Sequence, residues 1–365
     1  MNLGPFRFRR FALVVTSAVV LSFFAALPAP AQDKPTMQLE QDCQTFTISS
    51  DNKIACSVPH LKRIKKVIVQ RDDIWVADAN GKARAIVEGE KFMPPPKPGN
   101  YVVDSLSWSP DARRLVANIT TQPPQLDEES DEPEPTSSVK ALALLEADGR
   151  EIKVPNAKTR FIENATNGTW LADGVTVVYL FGTGPYQIGR ILTSTGDAKF
   201  LFGGQSFDAV TWDAKNNQAF AMGRGLSVTG RQELFALDLI HETVSPIVQV
   251  PNYQGEFAVS PSGKKVAYFA DGDTIEARDL ANPAKPIVVH AGYGRFEWGK
   301  DERRVLLKRG ADDKSNDLVW VGIYDGNFTP ILHDLVFHAF HISPDGDSIA
   351  VTAPGKNVLR MYPLE

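Results

Sequence analysis

Ile342-Ser343-Pro344-Asp345-Gly346-Asp347-Ser348-Ile349-Ala350-Val351 holds the pattern that decides the fold. An apolar residue is followed by a turn rich in Ser, Pro, Asp and Gly, and then by β-branched and small apolar residues. Pro sets φ for the turn, and Ser or Asp bonds nearby backbone N–H groups, so the phrase joins two short strands. Moving back along the chain, the phrase recurs. Trp298-Gly-Lys-Asp301 leads into Val305-Leu-Leu307, and Val259-Ser-Pro-Ser262 into Val266-Ala-Tyr268. Trp212-Asp213 precedes Ala219-Phe-Ala221, Trp170-Leu-Ala-Asp173 precedes Val177-Val-Tyr179, and Trp108-Ser-Pro-Asp111 precedes Leu115-Val-Ala117. From Trp108 onward the anchors are 62, 42, 47, 39 and 44 residues apart. A repeat of roughly 40–50 residues made of short strands implies a β-propeller.

Each repeat divides into four strands. In the fifth, Gly255–Val259 and Lys265–Ala270 are followed by the Asp271-Gly272 turn, then Thr274–Arg278 and Pro286–His290. Thr274–Arg278 alternates polar and apolar, as a half-buried strand does. The sixth repeats the plan with Arg303–Leu307, Leu318–Ile323, Asp325-Gly326 and Pro330–Leu332. The last repeat stops one strand short, and a ring of sheets must close or leave unpaired edges. Thr45–Ile48 is expected to supply the missing outer strand. The first blade then uses Ile54–Ser57, Val67–Val69, Ile74–Ala77 and Ala85–Val87. The expected fold is all-β: a seven-bladed propeller of four-stranded antiparallel blades, closed by an N-terminal strand, with six or eight blades as alternatives. A rival arrangement pairs Phe46–Ile48 with Ile54–Ser57 around Asp51-Asn52. The two cysteines, Cys43 and Cys56, separate these readings. They lie on neighbouring strands only in the rival, so a disulfide between them favours it.

Before the repeats, Arg7, Arg9 and Arg10 precede an apolar run from Phe11 to Leu27, and Ala29-Pro-Ala31 offers the small residues of a processing site. Residues 1–31 are therefore expected to be a signal peptide cleaved after Ala31. A linker over 32–43 and a propeller over 44–365 follow. The run is at the short limit for a membrane anchor, so no stable membrane insertion is expected after cleavage. Loss of the three arginines shifts the formal net charge from −5 to −8. An acidic chain argues against nucleic acid as a partner. With 365 residues, 43 % of them hydrophobic, the chain supports a sizeable core, and a monomer is expected as the core unit. Localisation is expected to be periplasmic or secreted, where a disulfide is chemically allowed.

The Ser343-Pro-Asp-Gly346 turn with Ile349-Ala-Val351, Ser260-Pro-Ser-Gly263 with Val266-Ala-Tyr268, and Ser109-Pro-Asp111 with Leu115-Val-Ala117 resemble the TolB-type, WD40-like propeller repeat. The resemblance covers about Gln44 to the C-terminus. It implies an exported propeller that binds partners through its faces. The chain departs from TolB in having no room for an α/β domain ahead of the propeller. It departs from prolyl-oligopeptidase-like enzymes in lacking a hydrolase domain and a Gly-x-Ser-x-Gly elbow. The Gly-His and Trp-Asp pairs of WD40 repeats are missing as well, since Trp212-Asp213 falls at the end of an inner strand and not at the position of that pair.

In an up-and-down meander the Ser-Pro-Asp turns share one face of the ring. The loops joining second to third strands, and one blade to the next, share the other. That other face is expected to carry Pro94–Pro98 and an acidic insertion over 122–138 with Asp127, Glu128, Glu129, Asp131, Glu132 and Glu134, whose composition implies disorder. Lys62, Arg63, Lys65 and Lys66 form a short basic run that reads as a solvated surface. Two function classes follow. The first is a non-enzymatic module or envelope scaffold that binds an envelope or extracellular protein or glycan and needs no cofactor. The second is a metal-dependent small-molecule hydrolase or lactonase. Its divalent ion would sit in the central funnel on His290, His333, Asp334 and His338, whose imidazole and carboxylate groups suit Zn²⁺. No catalytic residues are assembled by spacing alone.

Overall fold

The computed structural model describes residues 35–64, 67–92, 99–122, 125–126, 138–155, 161–224, 231–292, 294–309, 316–335, 337, 339–353 and 358–364. Residues 1–31, Pro94–Pro98, Lys65, Lys66, His338 and the acids of the insertion lie outside them. Seven four-stranded antiparallel sheets follow one another as blades. Blade 1 is Thr45–Ile48, Ile54–Val58, Asp73–Ala77 and Ala83–Val87. Blade 2 is Asn100–Trp108, Arg114–Gln122, Val139–Glu146 and Ile162–Glu163; blade 3 is Ala165–Trp170, Thr176–Phe181, Tyr186–Leu192 and Ala198–Phe200. Blade 4 is Ala209–Asp213, Gln218–Arg224, Gln232–Asp238 and Thr243–Gln249; blade 5 is Tyr253–Val259, Lys265–Ala270, Thr274–Asp279 and Ile287–His290. Blade 6 is Gly294–Trp298, Arg304–Arg309, Asn316–Gly322 and Phe328–Leu335. Blade 7 is Phe340–Ile342, Ser348–Ala353, Val358–Pro363 and, from the front of the chain, Met37–Leu39.

First strands of neighbouring blades contact one another, so they form the inner wall. The core lies between blades rather than inside any one. Val76 and Val87 of blade 1 pack on Leu106, Trp108 and Leu115 of blade 2. Trp170, fully buried, packs with Leu142 and Val116 across the next junction. Phe269 meets Phe296 edge to face, 5.3 Å apart, between blades 5 and 6. The ring is sealed where Leu39, Leu359 and Met361 of blade 7 meet Phe46, Ile54 and Ala77 of blade 1. Two of the four anchor tryptophans also reach backward: Trp212 Nε1 donates to Asn167 O at 2.8 Å and Trp298 Nε1 to Ala258 O at 3.1 Å, each in the preceding inner strand.

An N-terminal strand does close the last blade, but Met37–Leu39 fills that place and Thr45–Ile48 does not. Met37 pairs with Met361 and Leu39 with Leu359. The closing strand falls inside the stretch assigned to a linker. Thr45–Ile48 is instead the inner strand of blade 1, paired with Ile54–Ser57 as in the rival arrangement. Cys43 and Cys56 are disulfide-bonded, with Cα atoms 5.5 Å apart, which is the outcome that favours that arrangement. Val67–Gln70 is not in blade 1 either. It forms a separate hairpin with Leu61–Ile64, and Gln125–Leu126 adds a third strand to it.

Candidate functional site

The two faces of the ring differ in what their residues are free to do. On the turn face the Ser-Pro-Asp residues are consumed locally. Ser109 Oγ donates to Asp111 and accepts from Arg114 N at 2.9 Å; Ser343 Oγ accepts from Ser348 N at 3.0 Å; Ser260 Oγ accepts from Lys265 N at 3.1 Å. The carboxylates of Asp111 and Asp345 are held below the ordinary range. Burial raises Asp111, but the Ser109 hydroxyl and Arg113 N–H outweigh it; the Ser343 hydroxyl is the main influence on Asp345. Neighbouring turns are also tied together. Asn52 Nδ2 donates to Asp345 at 3.1 Å, Ser50 Oγ to Pro110 O at 3.1 Å, and Ser262 Oγ to Glu302 at 2.9 Å. Arg114 donates to Gly174 O, and Lys300 pairs with Asp347 at 3.4 Å. This face is largely a fastening band.

The inner wall is polar and irregular. Register shifts break the first strands of blades 2, 3 and 5, at Val103/Ser105, Thr166/Thr169 and Tyr253/Phe257. The residues set out by these bulges, Asp104, Asn167 and Glu256, are all exposed. Asn167 and Glu256 have φ of 49° and 36°, a region that non-glycine residues rarely occupy. Glu256 is open to solvent yet ringed by protein. Desolvation raises its carboxyl, Arg295 partly offsets this, and the Glu297 charge adds to it. Across blades 6 and 7, His341 Nδ1 lies 2.7 Å from Glu297 Oε1, and Ile342 N donates to Glu297 Oε2 at 2.9 Å. Burial pushes Glu297 up, but the His341 charge and hydrogen bond, Arg295 and the Ile342 N–H pull it below the ordinary range. Phe46 of blade 1 meets the His341 ring edge to face at 5.0 Å. The wall therefore carries charge at the junctions that hold the ring shut.

The opposite face carries the additions. The accessory sheet of Leu61–Ile64, Val67–Gln70 and Gln125–Leu126 interrupts blade 1 between its second and third strands and recruits the second-to-third-strand loop of blade 2. His60 and Arg71 close the base of the hairpin through reciprocal backbone bonds of 3.2 and 2.9 Å. Asp72, buried, fastens it to blade 2 by accepting from Val103 N at 2.8 Å and from Gln70 Nε2 at 2.8 Å. Desolvation raises the Asp72 carboxyl despite those bonds. On this scaffold Leu61 is 64 % exposed and Ile68 41 %, and Val139 at the neighbouring strand is 42 % exposed. Lys62 lies at the rim, paired with Glu90 at 2.9 Å. Large apolar side chains held in water by a fixed sheet mark a surface suited to contact.

Of the candidate metal ligands, His338 lies outside the described residues and the others lie on outer strands. His290 is exposed on the outer strand of blade 5, where its Nδ1 lies 3.1 Å from Thr274 Oγ1. His333 and Asp334 belong to the outer strand of blade 6. Among the described residues no group of three His, Cys, Asp or Glu is arranged to hold a metal ion. The accessory sheet escaped sequence reasoning because Gln125–Leu126 is two residues long and pairs with a segment more than fifty residues earlier.

Fold and faces together define a WD40-like, seven-bladed β-propeller with one fastened face and one elaborated face. Among solved structures, a chain in the crystal structure of the mitotic checkpoint complex is similar, with a TM-score of 0.59 and 13 % sequence identity over 100 % of this chain and 99 % of that one. At that identity the likeness is one of fold. No family model matches the chain, and the curated proteins yield no match.

Proposed function

We propose that this chain is an exported, non-enzymatic propeller of the TolB-like kind that binds an envelope or extracellular protein, or a glycan, through the face opposite its turns. The observation that carries the reading is the accessory sheet. It adds nothing to the ring's own closure, yet it is fixed to blades 1 and 2 and presents Leu61 and Ile68 to solvent. Burying such side chains against a partner contributes about 1.5–3 kcal/mol each, and a preformed sheet gives up little conformational freedom on binding. The exported state rests on the leader-like residues 1–31 and agrees with the disulfide, since oxidising compartments sustain such bonds.

The test is affinity capture from the native compartment with the mature protein beginning at Gln32. Three baits are compared: the unaltered chain, Leu61→Asp/Ile68→Asp, and a deletion of residues 127–137. A partner retained by the first and lost by the second supports the proposal. A partner held equally by all three places binding elsewhere. Stoichiometric zinc or calcium in the purified protein, lost in His338→Ala, would overturn the non-enzymatic reading in favour of the metal-dependent hydrolase.

A further inference from the structure

On the turn face, blade 6 carries an opening that the fastening band does not fill. On blade 6 a cavity of about 380 Å³ lies between the first and last turns, lined by Asp301, Arg303, Arg304, Trp320, Tyr324 and Asn327, with Asp325 and Thr329 beside them. Its size suits a small organic molecule. The chemistry of that molecule follows from which hydrogen-bonding groups are already occupied.

Both carboxylates are spent. Asp301 Oδ1 accepts from Arg303 N at 2.9 Å and Arg304 N at 3.2 Å, and its Oδ2 accepts from Arg304 Nε at 2.8 Å. Asp325 Oδ1 accepts from Asn327 N at 3.1 Å and its Oδ2 from Asn327 Nδ2 at 2.8 Å. Both are held below the ordinary carboxylate range. Asp325 owes this first to the Asn327 N–H. At Asp301, burial raises the carboxyl and the Arg303 and Arg304 donors outweigh it. Gly322 keeps room for Asp325, because a Cβ there would lie 1.9 Å from its Oδ1.

The donors are not spent. The Arg304 guanidinium is stacked 4.7 Å from the Trp320 ring and held edge-on by Asp301 through Nε. Its two terminal NH₂ groups make no hydrogen bond among the described residues. The Arg303 side chain is exposed and makes none either. A guanidinium oriented by an aromatic ring and a carboxylate loses little freedom when it takes up a ligand, and its parallel N–H groups match the two oxygens of an oxyanion. Tyr324, 52 % exposed, supplies an aromatic wall. Lys265 lies 5.5 Å from its ring and adds positive charge there.

We infer that the blade 6 cavity binds a small organic oxyanion, a phosphate monoester or a carboxylate, gripped by Arg303 and Arg304 with its organic body against Tyr324. The site is separate from the accessory sheet on the other face and does not depend on the reading given to that sheet.

Titration calorimetry on the mature protein, in a buffer of low ionic strength, tests this with phenyl phosphate, glucuronate, inorganic phosphate and neutral glucose. Phenyl phosphate or glucuronate should bind, and glucose should not. Binding by one of the two anions and not the other identifies which oxyanion the site takes. Inorganic phosphate alone would bind more weakly, having no body to lie on Tyr324. Arg303→Gln, an exposed change expected to leave folding intact, should weaken the anion at least tenfold. Arg304→Lys keeps the charge but loses the paired N–H groups, and should weaken it by a similar factor. Absence of heat with both organic anions, or affinity unchanged in both variants, overturns the inference.

Discussion

Reducing the Cys43–Cys56 bond should loosen the ring at its seam. The bond joins residues 13 apart in sequence, and a loop of that length lowers the entropy of the unfolded chain enough to contribute about 3 kcal/mol of stability at 25 °C. Both sulfurs are buried in the cluster that joins blade 7 to blade 1. Cys43 also lies four residues after the closing strand Met37–Leu39, so the bond anchors the chain just beyond that strand. The closing strand itself has three paired residues, too few to stay ordered by themselves. The assay is chemical unfolding followed by tryptophan fluorescence, on protein refolded with and without a phosphine reductant. The expected result is a fall of about 3 kcal/mol, equivalent to roughly 4 °C in Tm for a unit of about 330 residues. Hydrogen exchange should quicken first in Met37–Leu39 and Val358–Pro363. A change below about 0.5 kcal/mol, or faster exchange spread evenly over all blades, would refute the claim that the bond acts at the seam.

Other expectations test the packing and the electrostatics. Gly149 has φ of 91°, and a Cβ there would lie 1.9 Å from Ile86 O; Gly149→Ala should therefore cost more than about 2 kcal/mol, measured by urea unfolding. Trp170 is fully buried between blades 2 and 3, so Trp170→Ala should cost about 3–5 kcal/mol, and retention of wild-type Tm would contradict its packing role. Because the folded Glu297 carboxyl is depressed, its stabilisation is present above the ordinary carboxylate pKa and is lost as pH falls through the lower folded value. Glu297→Gln should thus remove about 2 kcal/mol at neutral pH and flatten the acid limb of the stability profile. Glu256 has the opposite sign: its raised carboxyl opposes folding once ionised, so Glu256→Gln should gain stability at pH 7 and none at pH 3.

Burying Leu61 and Ile68 against a partner would use a part of the fold that the repeat does not prescribe. In each blade the ring leaves the second-to-third-strand loop free of closure duties, and here blades 1 and 2 have joined theirs into a sheet. On the turn face, the hydrogen bonds of blade 6 leave donors over at Arg303 and Arg304. Contact surfaces thus arise on this scaffold wherever backbone and side-chain groups are not needed to hold blade to blade.

The blades, their four-strand plan and the separation of the two faces were legible because they are local. A Ser-x-Asp turn satisfies itself within five residues, as at Ser343–Ser348, and its β-branched sequel reports the next strand directly. The same signal is present in blade 1, where the sequence admits it as the rival hairpin around Asp51-Asn52. Ile48-Ser49-Ser50-Asp51 leads into Ile54-Ala55-Cys56, and Ser49 Oγ accepts from Lys53 N at 2.8 Å just as its counterparts do. It lacks the proline and the tryptophan, so the sequence alone favours the far end of the ring for Thr45–Ile48, and the structure sets that strand in blade 1. Which segment seals the ring, whether the cysteines meet, and the existence of the accessory sheet were decided only by tertiary structure. Met37 pairs with Met361, and Gln125 with Ile68. Strands of two or three residues have no period to read, and their partners are chosen by which edges the rest of the fold leaves open.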